Sequence, residues 1–495
     1  MSPLMILSLM CVYFAVILGI AFVTGMSQKT TLKEYFLASK AVPWWLVAFG
    51  MIGNSLSGVT FISVPGAVSK SGMTYFQVVL GYLLGYVVIA FVLLPLYYRL
   101  NLTTVYTFLK LRLGMVSYRV AAVFFLISRL LGASARLYLV TGVLQTFVFG
   151  AWGIPLPVTA AIALLLILMY TVEGGMKTLV WTDTLQSLFL VSAVVITVIL
   201  LGDSLGGNPF ELALKSDMGV LFDWSPGSEH YFWKDILGGM FITVVMTGLD
   251  QDQMQKNLIC RDIRSAQKNM LSFSIIVVIV NFFFLTLGAL LYIAASQKGL
   301  DLPAKSDHTY PYMALGYLSE YMPLLGVLFM LGLTAAAFSS ADGALTALTT
   351  SFIIDIAAKS PDDDHNRTYK RKVHLSMALG AYLSILLFYA WDVWVASNGG
   401  GGLSIITVVL QLATYTYGPL LGLFSFGLFV SNRKLREKWV PYVALAAPLI
   451  CLSFNLISTV KLGFLNLPVN GALTLLGLWI ISFPSEPFLD EMDGH

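Results

Sequence analysis

Long stretches almost free of charge recur along this chain, and they constrain its fold more than any other feature. A helix that crosses lipid needs roughly 20 mostly apolar residues, because every backbone amide must be satisfied without water. Thirteen such spans are predicted, near residues 3–25, 43–69, 73–98, 118–148, 153–171, 180–201, 231–255, 270–297, 323–354, 373–395, 403–430, 439–460 and 466–484. The fourth and ninth are long enough to require a strong tilt. Only 11% of the residues are charged, against about 25% in a soluble domain. The net charge of +3 is scattered and gives no footprint for a nucleic-acid partner. Cys11, Cys260 and Cys451 lie far apart and support neither a disulfide framework nor a zinc cluster. The longest loop, 202–230, is too short for a catalytic domain, which argues against a membrane enzyme.

The charges orient the chain. When alternate loops are assigned to opposite sides, twenty-one of the 29 Lys and Arg residues fall on one side and six on the other, with Arg129 and Arg136 inside the fourth span. Basic loops face the cytoplasm. The amino terminus is therefore expected outside, and the acidic tail with Glu486, Asp490, Glu491 and Asp493 inside. The first span has no preceding basic residue and no evident cleavage site, so it reads as a retained helix rather than a signal peptide.

Two spans carry interruptions. Residues 50–66, GMIGNSLSGVTFISVPG, place glycines, hydroxyl residues, an Asn and a Pro within an apolar span and make a poor continuous helix. At membrane depth, such backbone is tolerated where it lines a cavity, and its freed carbonyls bind ions and substrate. The structural alternative is a Gly/Ser packing face. A second interruption, MTGLDQDQMQKN at 246–257, lies five spans later. Paired breaks suggest two five-helix repeats at 43–201 and 231–430, with a leading helix and linker at 1–42, an extracytoplasmic loop at 202–230 and two trailing helices with a tail at 431–495. Asp250 and Asp252 can also be read as ordinary charges at a cytoplasmic helix end.

The ninth span contains LTAAAFSSADGALTALTTSF at 333–352. A carboxylate such as Asp342 at this depth costs ~2.5 to 3.5 kcal/mol on insertion scales and is a functional signal. Ser339 and Ser340, joined by carbonyls from a broken neighbour, offer the oxygen ligands that a hard cation such as sodium takes. Alternatively, these hydroxyls bond back to their own helix. Asp183 by position reads as a charge at a helix N-terminus. Arg129 and Arg136, seven residues apart, share a helix face; pairing with intramembrane carboxylates is the expected role, with attraction of an anionic solute as the alternative. The NGGGG run at 398–402 lacks the Lys-Ser/Thr of a phosphate loop and reads as a connection.

The broken SLSGVTFISVP helix, the YTxxGG...WTDxxQ stretch from Tyr170 to Gln186, QDQMQKNL, AAAFSSADG and YGPLLGLFSFGLF together resemble the sodium/solute symporter family over most of the chain. The resemblance implies an all-α polytopic membrane protein with a LeuT-like core of five plus five inverted helices, one leading and two trailing. It places the main sodium site on the Gly53, Leu56 and Ala336 carbonyls and the Ser339 and Ser340 hydroxyls. A second sodium site found in some members falls on Asp183, Ser339 and Asp342. Here Asp342 stands where a hydroxyl residue is common and Gly343 supplies no side chain, so the second site is altered: sodium, a proton or an internal salt bridge can serve it. For substrate the resemblance gives Ser55, Ser57, Thr60, Gln77, Asp250, Gln251 and Gln411. The glutamine and arginine used by the sialic-acid branch fall on Gly81 and Gly132.

The expectation is therefore a sodium-coupled symporter with Na+ as coupling ion and no organic cofactor, in a bacterial inner membrane, with a monomer plausible and the oligomeric state open. A sugar or polyol is the favoured substrate, and an organic or amino acid, sialic acid included, the alternative. A channel would need a continuous pore and a sensor an appended signalling domain, and neither is evident.

Overall fold

The computed structural model describes residues 3–25, 42–172, 176–359, 367–398, 405–458 and 462–485. Among these, ten helices are long and apolar enough to cross a membrane, two bent helix pairs each make one further span, and Leu156–Thr171 is a shorter apolar helix, which together give the thirteen expected. The acidic tail from Glu486, residues 399–402 of the glycine run, and Gly174 and Gly175 lie outside the described residues.

Burial separates core from periphery. In the ninth span, Pro323–Ile356, 78% of the most apolar window is buried, against 22% in the twelfth, Glu437–Ile457. Leu387 and Ile457 are 70% and 85% exposed, surfaces that only acyl chains can cover. The first span turns Ile6, Met10, Tyr13, Phe14 and Ile17 inward, and the Phe14 ring meets Phe338 of the ninth span edge-on at 4.6 Å.

Both interruptions are real breaks. The second span consists of Trp44–Ser55 and Gly58–Ser71, bent by 59°. Leu56 and Ser57 leave helical geometry with ψ of 74° and 172°, as a run rich in Gly and Ser permits. The seventh span runs from Phe232 through a π-turn at Val244–Gly248 and restarts as Gln251–Leu258 after a 65° bend. Asp250 causes the restart: its carboxylate accepts from the amides of Asp252 and Gln253 at 3.0 and 3.3 Å, capping the new helix. The first half of the second span packs along the sixth, Met176–Ser204, and against the ninth, while the third, Tyr75–Arg99, lies along the seventh. Arg433–Leu435 pairs antiparallel with Ser482–Pro484, a small ribbon that the all-α expectation did not include.

Tyr97 and Tyr106 hydroxyls donate to the Gly248 and Leu249 carbonyls, both at 2.9 Å.

Candidate functional site

The broken second span meets the ninth at Gly53. A Cβ there would stand 2.9 Å from Ser187 Oγ and 3.0 Å from Ser339 Oγ, so only glycine lets this backbone lie against the serine pair. The Gly53 amide donates to Ser187 Oγ at 2.7 Å. Neither the Gly53 nor the Leu56 carbonyl receives a hydrogen bond from a backbone amide beyond the break. Ser339 Oγ donates to Asp183 Oδ1 at 2.5 Å. Ser340 Oγ donates to the Ala337 carbonyl at 3.1 Å, within its own helix. Farther along, Thr349 and Thr350 bond back to the Leu345 and Thr346 carbonyls at 2.7 and 2.8 Å and are accounted for structurally.

A buried charged layer flanks these serines. Asp183 is fully buried within the sixth span, where its Oδ2 accepts from Lys256 Nζ at 2.6 Å. Lys256 is one of the twenty-one basic residues that the loop assignment puts on the cytoplasmic side, yet it is 1% exposed, because the helix Gln251–Leu258 turns into the core. Asp342 pairs with neither arginine: its Oδ2 accepts from Tyr170 OH at 2.9 Å, and its buried Oδ1 has no hydrogen-bond partner among the described residues. Asp252 accepts from Asn54 Nδ2 at 2.8 Å and from Arg129, which also stands 3.7 Å from Asp250. Arg129 thus takes the expected pairing role. Arg136 makes no hydrogen bond or salt bridge with any described residue.

Arg136 lines a cavity of about 110 Å³ beside the second-span break, together with Asn54, Ser55, Ser57, Thr60, Gln253 and Asn281. Ser55, Ser57 and Thr60 are the anticipated substrate residues that reach it. The other four are engaged elsewhere. Gln77 holds the loop that precedes the seventh span, bonding the His230 carbonyl at 2.9 Å and the Asp223 amide at 2.8 Å. Gln251 bonds the Val105 amide and Thr103 carbonyl at 2.9 and 3.2 Å. Asp250 caps its helix and accepts from Tyr417 OH at 2.6 Å. Gln411 lies in a separate outer hollow with Glu229 and His230. At Gly81 a Cβ would fall 2.3 Å from the Ile236 carbonyl, so no glutamine fits there, whereas Gly132 faces open space within one turn of Arg136. Sequence reasoning missed Tyr75, Tyr82 and Tyr86, which also line the cavity. Their spacing along one helix face was an available signal.

Two broken helices beside a hydroxyl-rich, largely buried helix define a secondary transporter of the LeuT-like class. The sodium:solute symporter profile matches residues 35–435, and the chain belongs to that family. It is 25% identical over 437 residues to a sodium/sialic acid symporter of Proteus mirabilis, covering 85% of this chain and 84% of that protein. A sodium-coupled monocarboxylate transporter of Mus musculus is 25% identical, with 83% and 67% covered. A sodium/glucose cotransporter of Vibrio parahaemolyticus is 26% identical, with 72% and 69% covered. The structure of a Na+-coupled sialic acid symporter in a substrate-bound outward-open state superposes with a TM-score of 0.80 at 21% identity, over 96% of this chain and 97% of that one. The protein is accordingly an integral membrane transporter of a sodium-coupled symporter family.

Proposed function

We propose that this protein imports a small polar organic acid together with sodium, and that Arg136 receives the substrate carboxylate. The observation carrying this is the unpaired Arg136 in the cavity beside the helix break. A guanidinium at membrane depth is costly until an anion meets it, and a planar carboxylate is its best bidentate partner. This reading takes the organic-acid alternative over the sugar or polyol favoured by sequence. It is supported by relatives named for sialic acid and monocarboxylates, although one is named for glucose. Ser55, Ser57 and Thr60 would hold the hydroxyls or amide of the same solute.

Sodium would bind at the Gly53, Leu56 and Ala336 carbonyls with Ser339 and Ser340, drawing the broken helix onto the ninth span and stabilising the outward-facing cavity. Coupling requires each ligand to bind one conformer better than the other. Release into the cytoplasm, the side of the basic loops, requires Tyr97, Tyr106 and Gln251 to let go of their backbone partners while repeats 43–201 and 231–430 rock. With the amino terminus outside and the membrane a bacterial inner membrane, inward sodium flow drives import.

The test is uptake by reconstituted protein under a sodium gradient, comparing sialic acid and short monocarboxylates with glucose, inositol and the amides of the same acids. Accumulation of an acid but not its amide supports the reading. Accumulation of a neutral sugar that no acid competes with would return the substrate to the sugar class.

A further inference from the structure

We propose that the Lys256 ammonium is a built-in cation occupying the position where a second sodium would otherwise bind, so that this protein carries one sodium per substrate. The inference rests on the main sodium site proposed above and concerns what lies beside it. Three carboxylates, Asp183, Asp252 and Asp342, converge on this part of the core, and all are at most 2% exposed. Each belongs to a different broken or buried span, so their convergence is a product of the fold.

Lys256 is the cation they share. Its Nζ lies 2.6 Å from Asp183 Oδ2, and it also interacts electrostatically with Asp252 and Asp342. Asp183 divides its two oxygens between Lys256 and Ser339. A second sodium using Asp183, Ser339 and Asp342 would have to enter beside an ammonium that already holds one of those ligands. Like charges at that separation in a buried site exclude one another.

The two departures at residues 342 and 343 fit the same arrangement. A Cβ on Gly343 would come 2.7 Å from Asp252 Oδ1 and 3.2 Å from Asn54 Oδ1. Glycine therefore makes room for the carboxylate that pairs with Arg129 and faces Lys256. Asp342, where a hydroxyl residue is common among the relatives the sequence resembles, adds a negative charge that a lysine-filled site can use. Its fully buried Oδ1 has no hydrogen-bond partner among the described residues and is left to the field of the ammonium. The chain thus has the ligand shell of a second cation site with the cation tethered to it. Such a cation cannot be transported, but it can follow the conformational change: the bridge from Lys256 through Asp183 to Ser339 joins the seventh span to the main sodium site.

The experiment is the ratio of radioactive sodium to substrate taken up by proteoliposomes, with the sodium activation curve from the same preparation. The parent protein should carry one sodium per substrate with a Hill slope near one. Lys256→Gln, which removes the charge and leaves the shell, should admit a second sodium, with the ratio rising toward two and the slope above one; Lys256→Arg should keep the parental ratio. A ratio of two in the parent overturns the proposal and needs no variant, so it remains falsifiable if Lys256→Gln does not fold. An unchanged ratio in folded Lys256→Gln overturns it as well, leaving the pair a structural bridge. Transport that needs no sodium at all would remove the functional reading itself, an outcome distinct from either.

Discussion

Replacing Gly53 with Ala places a methyl group at the contact on which the proposed sodium site depends. The new carbon would stand 2.9 Å from Ser187 Oγ and 3.0 Å from Ser339 Oγ, closer than such atoms tolerate. Ser187 cannot simply withdraw, because it accepts the buried Gly53 amide at 2.7 Å, and Ser339 is held by Asp183 at 2.5 Å. The broken helix must therefore move away from the ninth span. Overpacking of this kind costs about 1–3 kcal/mol, and every 1.4 kcal/mol is roughly tenfold in affinity. The half-saturating sodium concentration should then rise roughly 5- to 150-fold. Substrate affinity at saturating sodium should change far less. The assay is initial uptake against sodium concentration in proteoliposomes, with Gly19→Ala as control because nothing lies within 4 Å of a Cβ there. Parental sodium activation in well-folded Gly53→Ala protein would refute the placement of the ion at this crossing.

Other expectations follow from the same geometry. Arg136→Met should raise the KM for an acid substrate roughly 10- to 150-fold, the loss of a hydrogen bond to a charged group worth about 1.5–3 kcal/mol, while sodium activation persists; substrate titration at saturating sodium checks this. Removing the hydroxyl of Ser55, Ser57 or Thr60 deletes a neutral hydrogen bond of ~0.5 to 1.5 kcal/mol, so each alanine variant should show a several-fold weaker substrate affinity, and parental affinity in all three would displace the cavity. His230 Nδ1 stands 3.4 Å from Asp235 Oδ2, and the neighbouring carboxylate raises the imidazole pKa above its ordinary value. The pair's stability is complete below the unfolded pKa of about 6.5 and is lost as pH rises through the raised folded value. With His230 partly exposed, the effect should stay within about 1 kcal/mol, visible as a small fall in Tm on raising the pH that His230→Gln abolishes.

The thirteen spans were legible because lipid permits no other way to satisfy a backbone, and the bilayer sets their length. Both breaks were legible for the opposite reason: glycine, serine and an Asp cap are chemically wrong for a continuous helix. Lys256 was not legible. It stands in a polar run at what looks like a helix end, and its burial depends on a 65° turn that carries Gln251–Leu258 inward. Nor could spacing separate Arg129 from Arg136 on their shared face. The distinction comes from Asp252, delivered from another span to one arginine only. Gln77, Gln251 and Gln411 were pocket residues only through the family resemblance, and loops and backbone groups that no local pattern reveals hold the first two. Gly343 is explained only once Asp252 is seen against it.

The central claim is that sodium bound by the serine pair drives solute uptake. The most direct measurement is concentrative uptake of an acid substrate into proteoliposomes with an inward sodium gradient, compared with choline or potassium, for the parent, Ser339→Ala and Ser340→Ala. The expected result is accumulation only with sodium, with both variants needing severalfold more sodium while remaining folded. Undiminished uptake with choline or potassium as the only cation, or parental sodium activation in both variants, would contradict it.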